Sequence, residues 1–93
     1  MSEYSTKTTM LPGTRNIEVL MKQKEVTVGD DLRIQSWYVQ DEQQKPFLVQ
    51  VIGDDADLAE GGFYTCVMRE RVQTRESDGR QFTEIQIAAA SAG

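Results

Sequence analysis

The side chains in this sequence that could do chemistry are arginines, carboxylates and one tryptophan, and their spacing suits binding better than catalysis. There is no histidine, which removes the commonest general base and metal ligand. Cys66 is the sole cysteine. Without a histidine it lacks the usual activating partner, and its place in a strand-like stretch predicts a buried, inert thiol. Asp54, Asp55 and Asp57 make an acidic run, but the loop glycine and distal glutamate of an EF-hand are missing, so the run reads as a solvated loop. Gly29-Asp30-Asp31 and Gly61-Gly62 precede no helical pattern and read as turns, not phosphate cradles. No catalytic residue, metal site or cofactor is expected, and the chain reads as a non-enzyme.

Two groups could bind a ligand. Arg33, Gln35 and Trp37 alternate along one stretch, so in a strand they share a face, with Leu32, Ile34 and Tyr38 on the other as core. An indole beside a guanidinium on an outward face suits single-stranded nucleic acid, the ring stacking on a base while the arginine holds a phosphate. The same pattern also fits a tryptophan covering a second apolar patch or a subunit interface. Arg69, Arg71, Arg75 and Arg80 are the basic concentration of the chain, with Glu70, Glu76 and Asp78 interleaved. They could hold phosphates or lace a hairpin with cross-strand ion pairs. Lys22 and Lys24 flank the first turn, opposed by Glu25.

Five strand candidates must position these groups, and no convincing helix appears. Asn16–Lys22 alternates Ile17, Val19 and Met21 against Glu18 and Lys22, and Leu32–Gln40 alternates as above. Pro46–Ile52 is apolar almost throughout, as a strand covered on both faces would be. Gly62–Gln73 and Arg80–Ala88 are joined by a Ser77-Asp78-Gly79 turn. Five short antiparallel strands in one small chain predict an all-β fold, a five-stranded OB-like barrel that leaves few open edges. The last two strands outrun the barrel and would project as a hairpin carrying Val72 and Phe82, apolar residues that predict a partner subunit.

Residues 1–15, rich in Ser, Thr and Lys, read as a flexible arm; residues 16–88 are the barrel domain; residues 89–93 are a small-residue tail. No apolar run is long enough for a membrane span, no secretory signal is visible at the N-terminus, and a lone cysteine suits a reducing cytoplasm. The net charge of −5 opposes a nucleic-acid role, since phosphate contacts need Lys and Arg. A basic groove within an acidic protein could still serve, because the local field matters more than the total.

Tyr38-Val39, the Pro-x-Leu-Val-x-Val of Pro46–Val51 and the Gly-x-Tyr-Thr of Gly62–Thr65 stand in an order and spacing similar to the small single-stranded-DNA-binding, helix-destabilising proteins of filamentous bacteriophages. The resemblance covers about a third of the chain. It implies a sequence-nonspecific protein that coats single-stranded DNA (or RNA) in the host bacterial cytoplasm, as a homodimer formed through the projecting hairpin. Carried over residue by residue, it adds Tyr38 near the groove to the binding candidates Lys22, Lys24, Arg33, Trp37, Arg69, Arg71 and Arg80. Phe82 falls in the hairpin that carries a family aromatic. The chain departs from the family at Gln50, where the family has lysine, and in the loop Gln23–Asp31, which ends in two aspartates and has no aromatic. The alternative expectation is an acidic protein-interaction module on the same barrel, its Asp30-Asp31 and Gly53–Glu60 segments meeting a basic protein partner.

Overall fold

The computed structural model describes residues 3–43 and 45–93. The first two residues of the expected arm, and Gln44 in the polar turn before Pro46, lie outside the described residues. The chain is all-β, and among the described residues there are six strands: β1 (Tyr4–Met10), β2 (Arg15–Val28), β3 (Leu32–Gln40), β4 (Pro46–Ile52), β5 (Phe63–Arg75) and β6 (Gln81–Ala92). Among the described residues no helix is long and apolar enough to cross a membrane.

Five of the strands close into a ring. β2 pairs with β3, β3 with β4, β5 with β6, and β5 back onto β2, all antiparallel. The ring closes where β4 meets β6 in parallel at Gln50 and Gln86. The sheet is therefore mixed, not the purely antiparallel one expected. A sixth strand was also hidden in the presumed arm: residues 4–10 pair along the outer half of β5, from Tyr4 opposite Arg75 to Met10 opposite Arg69. The Thr-rich run Tyr4–Met10 is well suited to a strand, and the projecting β5 offers it an open edge. The presumed tail is likewise ordered, since Ala89 pairs with Val67 and Ala92 with Tyr64.

Inside the ring lie Ile17 and Val19 of β2, Trp37 and Val39 of β3, Val49 and Val51 of β4, Cys66 and Met68 of β5, and Ile87 of β6, with Leu58 from the loop between β4 and β5. Burial pushes the Cys66 thiol up from its ordinary value, as befits an unreactive side chain. The register overturns the expected faces of β3. Val39 is fully buried, and period-two alternation carries Trp37 and Gln35 inward with it, at 5% and 8% exposed. Leu32, Ile34 and Tyr38 take the outer face instead. A second departure is Met21, expected inside beside Val19 but exposed. A register shift between Val19 and Met21 turns it outward, opposite Tyr38.

Gly61 and Gly62 lead into β5. Gly61 has φ of 80°, and a Cβ on Gly62 would come within 2.7 Å of the Tyr64 ring. The pair lets the chain fold tightly on itself, with the Gly61 N–H donating to Val19 C=O at 2.8 Å.

Candidate nucleic-acid interface

β4 is apolar on both faces, but only one face is covered by protein. Val49 and Val51 point into the core, while Leu48 is exposed and Gln50 and Ile52 are half-buried on the outer side. Opposed residues on paired strands share a face. Ile34 lies opposite Ile52, Tyr38 opposite Leu48, and Arg69 and Arg71 of β5 opposite Gln86 and Glu84 of β6. These strands line a groove of about 400 Å³ floored by Leu32, Ile34 and Ile52 and walled by Arg69, Arg71 and Glu84. Thr8 of β1 reaches its rim.

One polar ladder crosses this groove. Arg69 Nη2 donates to Asp55 Oδ2 at 3.1 Å, and its Nε donates to Gln86 Oε1 at 2.8 Å. Gln86 Nε2 donates to Gln50 Oε1 at 3.2 Å, and Gln50 Nε2 to Glu84 Oε2 at 2.8 Å. Glu84 then accepts from Arg71 Nη1 at 2.8 Å. Each groove arginine is thereby paired with a carboxylate of the same chain. Of the two expected roles of the arginine cluster, the ion pairs that lace the hairpin are present, and Arg69 and Arg71 line the groove.

Beyond the ring, β1, β5 and β6 form a three-stranded wing on the same side. Phe82 and Tyr4 meet there with ring centroids 6.4 Å apart, and a second concavity beside them shares Glu84 with the groove. The Arg75 guanidinium lies 5.4 Å from the Phe82 ring and 5.9 Å from Tyr4, and Arg80 lies 5.5 Å from Phe82. Arg75 also pairs with Asp78 at 3.3 Å, whereas Arg80 donates only its backbone N–H to Asp78 Oδ1, at 3.0 Å, and its guanidinium has no carboxylate partner among the described residues. Phe82 therefore belongs to the groove side of the wing. Val72, grouped with it as a dimer contact, lies opposite Thr83 and Lys7 on the other face. One flat interface cannot take both residues.

The remaining candidates are scattered. The Trp37 indole N–H donates to Gln35 Oε1 at 2.9 Å, and Gln35 Nε2 donates to Glu25 Oε1 at 3.1 Å. Lys22 bonds the same Glu25 oxygen at 3.0 Å, and its amine lies 5.4 Å from the Trp37 ring centre. This arrangement seals the indole, so Trp37 offers no open face to a base. The Glu25 carboxyl is held below its ordinary range chiefly by the Lys22 hydrogen bond, which outweighs the upward effect of burial. Lys24 is exposed on the outer face opposite Ser36, with no carboxylate partner among the described residues. Arg33 pairs with Asp54 at 3.5 Å. Tyr38 is exposed between Met21 and Leu48, at the end of β3 away from Leu32.

Sequence reasoning missed Tyr4, Thr8, Ile34, Ile52, Gln50, Glu84 and Gln86. Tyr4 and Thr8 could have been found from the β-branched character of residues 4–10, and Ile52 from a strand apolar on both faces. Gln50 was marked only as a departure from the family lysine, and its meeting with Glu84 and Gln86 carries no sequence signal, because it depends on the crossover that brings β6 beside β4. Compared with known proteins, the chain matches no family model, no curated protein and no solved structure.

Proposed function

We propose that the chain is an OB-like, single-stranded-nucleic-acid-binding protein with no catalytic activity, of the kind the phage resemblance implies, and that it coats DNA single strands without sequence preference. The OB-like reading is supported by the ring order β2-β3-β4-β6-β5 with one parallel contact, a Greek-key closure. The observation that carries the function is the groove on the outer face of β3 and β4, the surface such barrels use for oligonucleotides. It combines an apolar floor, Arg69 and Arg71 at phosphate-binding positions, and the exposed Tyr4–Phe82 pair at one end as a stacking platform. Tyr38, Lys24 and Arg80 extend the same side. Trp37 acts as core and Lys22 as its cover.

A homodimer that leaves this groove open would use the opposite face of the wing, around Val72. The test of the function is titration of labelled oligo-dT at several salt concentrations. Binding that weakens steeply with salt supports the proposal, through counterion release. No binding at any ionic strength overturns it.

A second reading is favoured by a cleft of about 560 Å³ between the starts of β2 and β5 and the β3–β4 turn. Phe63, 62% exposed, and Tyr64 line it together with Glu18, Asp41 and Glu42, and among the described residues no lysine or arginine does. An acidic rim around an aromatic suits a basic protein segment and repels phosphate. Binding of a Lys/Arg-rich peptide that is lost in Phe63→Ala, without any oligo-dT binding, would select this reading.

A further inference from the structure

The sheet ends at β1. Among the described residues β5 alone pairs with it, and all seven of its residues are exposed. An open strand edge is a template for another chain, and proteins guard such edges with bulges and charges. β2 is guarded in this way where its pairing with β5 stops at Glu18: it bulges between Val19 and Met21 and again between Lys22 and Lys24. β1 has neither device. Its ladder with β5 runs from Tyr4 to Met10 without a register shift, and Lys7 is its one charged side chain.

The backbone directions follow from two bonds. Glu3 C=O accepts from the Glu76 N–H at 2.6 Å, and the Leu11 N–H donates to Met68 C=O at 2.9 Å. In an antiparallel strand the two polar groups of a residue point the same way and alternate along the chain. Ser5, Lys7 and Thr9 therefore bond toward β5, and Thr6, Thr8 and Met10 turn theirs outward.

We propose that this edge pairs antiparallel with β1 of a second copy, about a two-fold axis at Thr8. Outward groups must meet outward groups, so the axis passes through a residue and not between two. An axis at Lys7 would set two ammonium groups directly opposite, which is destabilising. An axis at Thr6 would leave Met10, 55% exposed, beyond the paired strands. An axis at Thr8 sets Met10 opposite Thr6 of the second copy and Lys7 opposite Thr9, with no like charges facing. A foreign charged segment would find only Lys7 to recognise on this strand, whereas a copy of the strand brings threonine pairs and a cover for Met10.

The joint needs no nucleic acid and does not rest on that reading. Opposed residues share a face, and Thr8 stands at the rim of the groove, so both copies turn their grooves to the same side. The joint is also distinct from a dimer around Val72, which would use the flat of the wing and not its edge. Both contacts together would link copies into an open row. Five residues a side bury less than the roughly 1,200 Å² of a stable interface, so the association is weak.

The experiment is sedimentation equilibrium from micromolar to millimolar protein, without nucleic acid, on Val72→Asp and Val72→Asp/Thr8→Pro. The first substitution removes any dimer through the flat of the wing. Proline at Thr8 removes an outward N–H and leaves the bonds between β1 and β5 in place. Val72→Asp should still self-associate, and the proline should weaken that by about thirtyfold, the loss of two backbone hydrogen bonds. No association of Val72→Asp, or equal association of both proteins, overturns the pairing. Mild oxidation of Thr8→Cys, Lys7→Cys and Thr6→Cys tests the register without proline. Cys66 is buried and does not interfere. Thr8→Cys should form a disulfide-linked dimer, since residues opposed in a hydrogen-bonded pair lie about 5.5 Å apart. The other two should not, because their counterparts lie beyond about 7 Å. Equal cross-linking of all three, or none from Thr8→Cys, overturns the pairing. Far-UV circular dichroism establishes that the variants fold.

Discussion

The ring of Phe82 lies against that of Tyr4, centroids 6.4 Å apart and planes tilted by 57°. The two residues are 78 positions apart in sequence. They meet because β1 runs back along β5 and brings Tyr4 opposite Arg75, while Gln73, two residues earlier on β5, lies opposite Phe82. Neither ring is enclosed, at 40% and 37% exposed, so both retain surface for a third ring.

If a base is that third ring, Phe82→Ala and Tyr4→Ala should each weaken oligo-dT binding by about 1–3 kcal/mol, the range for one stacked base. Folding stability should change much less, because both side chains lie outside the ring of strands. A fluorescence-anisotropy titration beside urea unfolding of the same variants separates the two effects.

Trp37 should behave in the opposite way. Enclosed by the core and by Lys22, Trp37→Ala should cost about 3–5 kcal/mol of stability. The emission of the native indole should be blue-shifted and should hold steady as oligonucleotide is added. Strong quenching on titration would return Trp37 to the binding surface.

Arg71→Ala should weaken binding in a salt-dependent manner and flatten the salt slope by about 0.7, the change expected when one phosphate of a single strand is no longer neutralised. It also leaves Glu84 in the groove without its 2.8 Å partner, which adds repulsion of the strand. Arg71→Ala/Glu84→Gln should recover part of the affinity and none of the slope.

Acid should loosen the protein through two carboxylates. Burial raises the Asp41 pKa, but hydrogen bonds from Arg15 and the Gln43 N–H more than offset it and leave the group below 3.8. Glu25 is held below 4.5, chiefly by Lys22. A depressed folded pKa means stability that is present above the unfolded value and lost as pH falls through the folded one. Unfolding midpoints should therefore be steady above about pH 5 and fall below about pH 4. Arg15→Met and Lys22→Met should each shallow that fall.

Val72→Asp and Phe82→Asp should separate assembly from binding. The residues lie on opposite faces of the wing, so a dimer formed through the face away from the groove should dissociate with the first substitution and survive the second. Sedimentation velocity at micromolar concentration reads both outcomes.

The strand boundaries of β3 and β4 were legible because alternation and turn chemistry are local signals. The face of β3 was not. Leu32-Arg33-Ile34-Gln35-Ser36-Trp37-Tyr38-Val39 offers apolar residues on both parities, and only packing against Val19 and Val49 decides that Val39 and Trp37 go inward. That Arg69 and Arg71 share one face of a strand was legible, but their carboxylate partners, Asp55 and Glu84, come from a turn and another strand. Residues 4–10 were misjudged for a related reason. A polar, Thr-rich run has little reason to fold alone, and becomes a strand because β5 outruns the ring and leaves it an edge.

The meeting of Gln50 with Gln86 has a kinetic meaning of its own. Every other junction in the ring is an antiparallel ladder of several residue pairs, whereas β4 and β6 share one bridge. Amides bordering that line should exchange with deuterium sooner than those of β2 or β3, since local opening begins where the fewest backbone bonds must break together. The two glutamines also stand in the groove, so a strand lying across them would act as a suture over the seam. Slower exchange on either side of it, at distances the ligand itself does not reach, would be the mark that closing the ring and holding the ligand are one event.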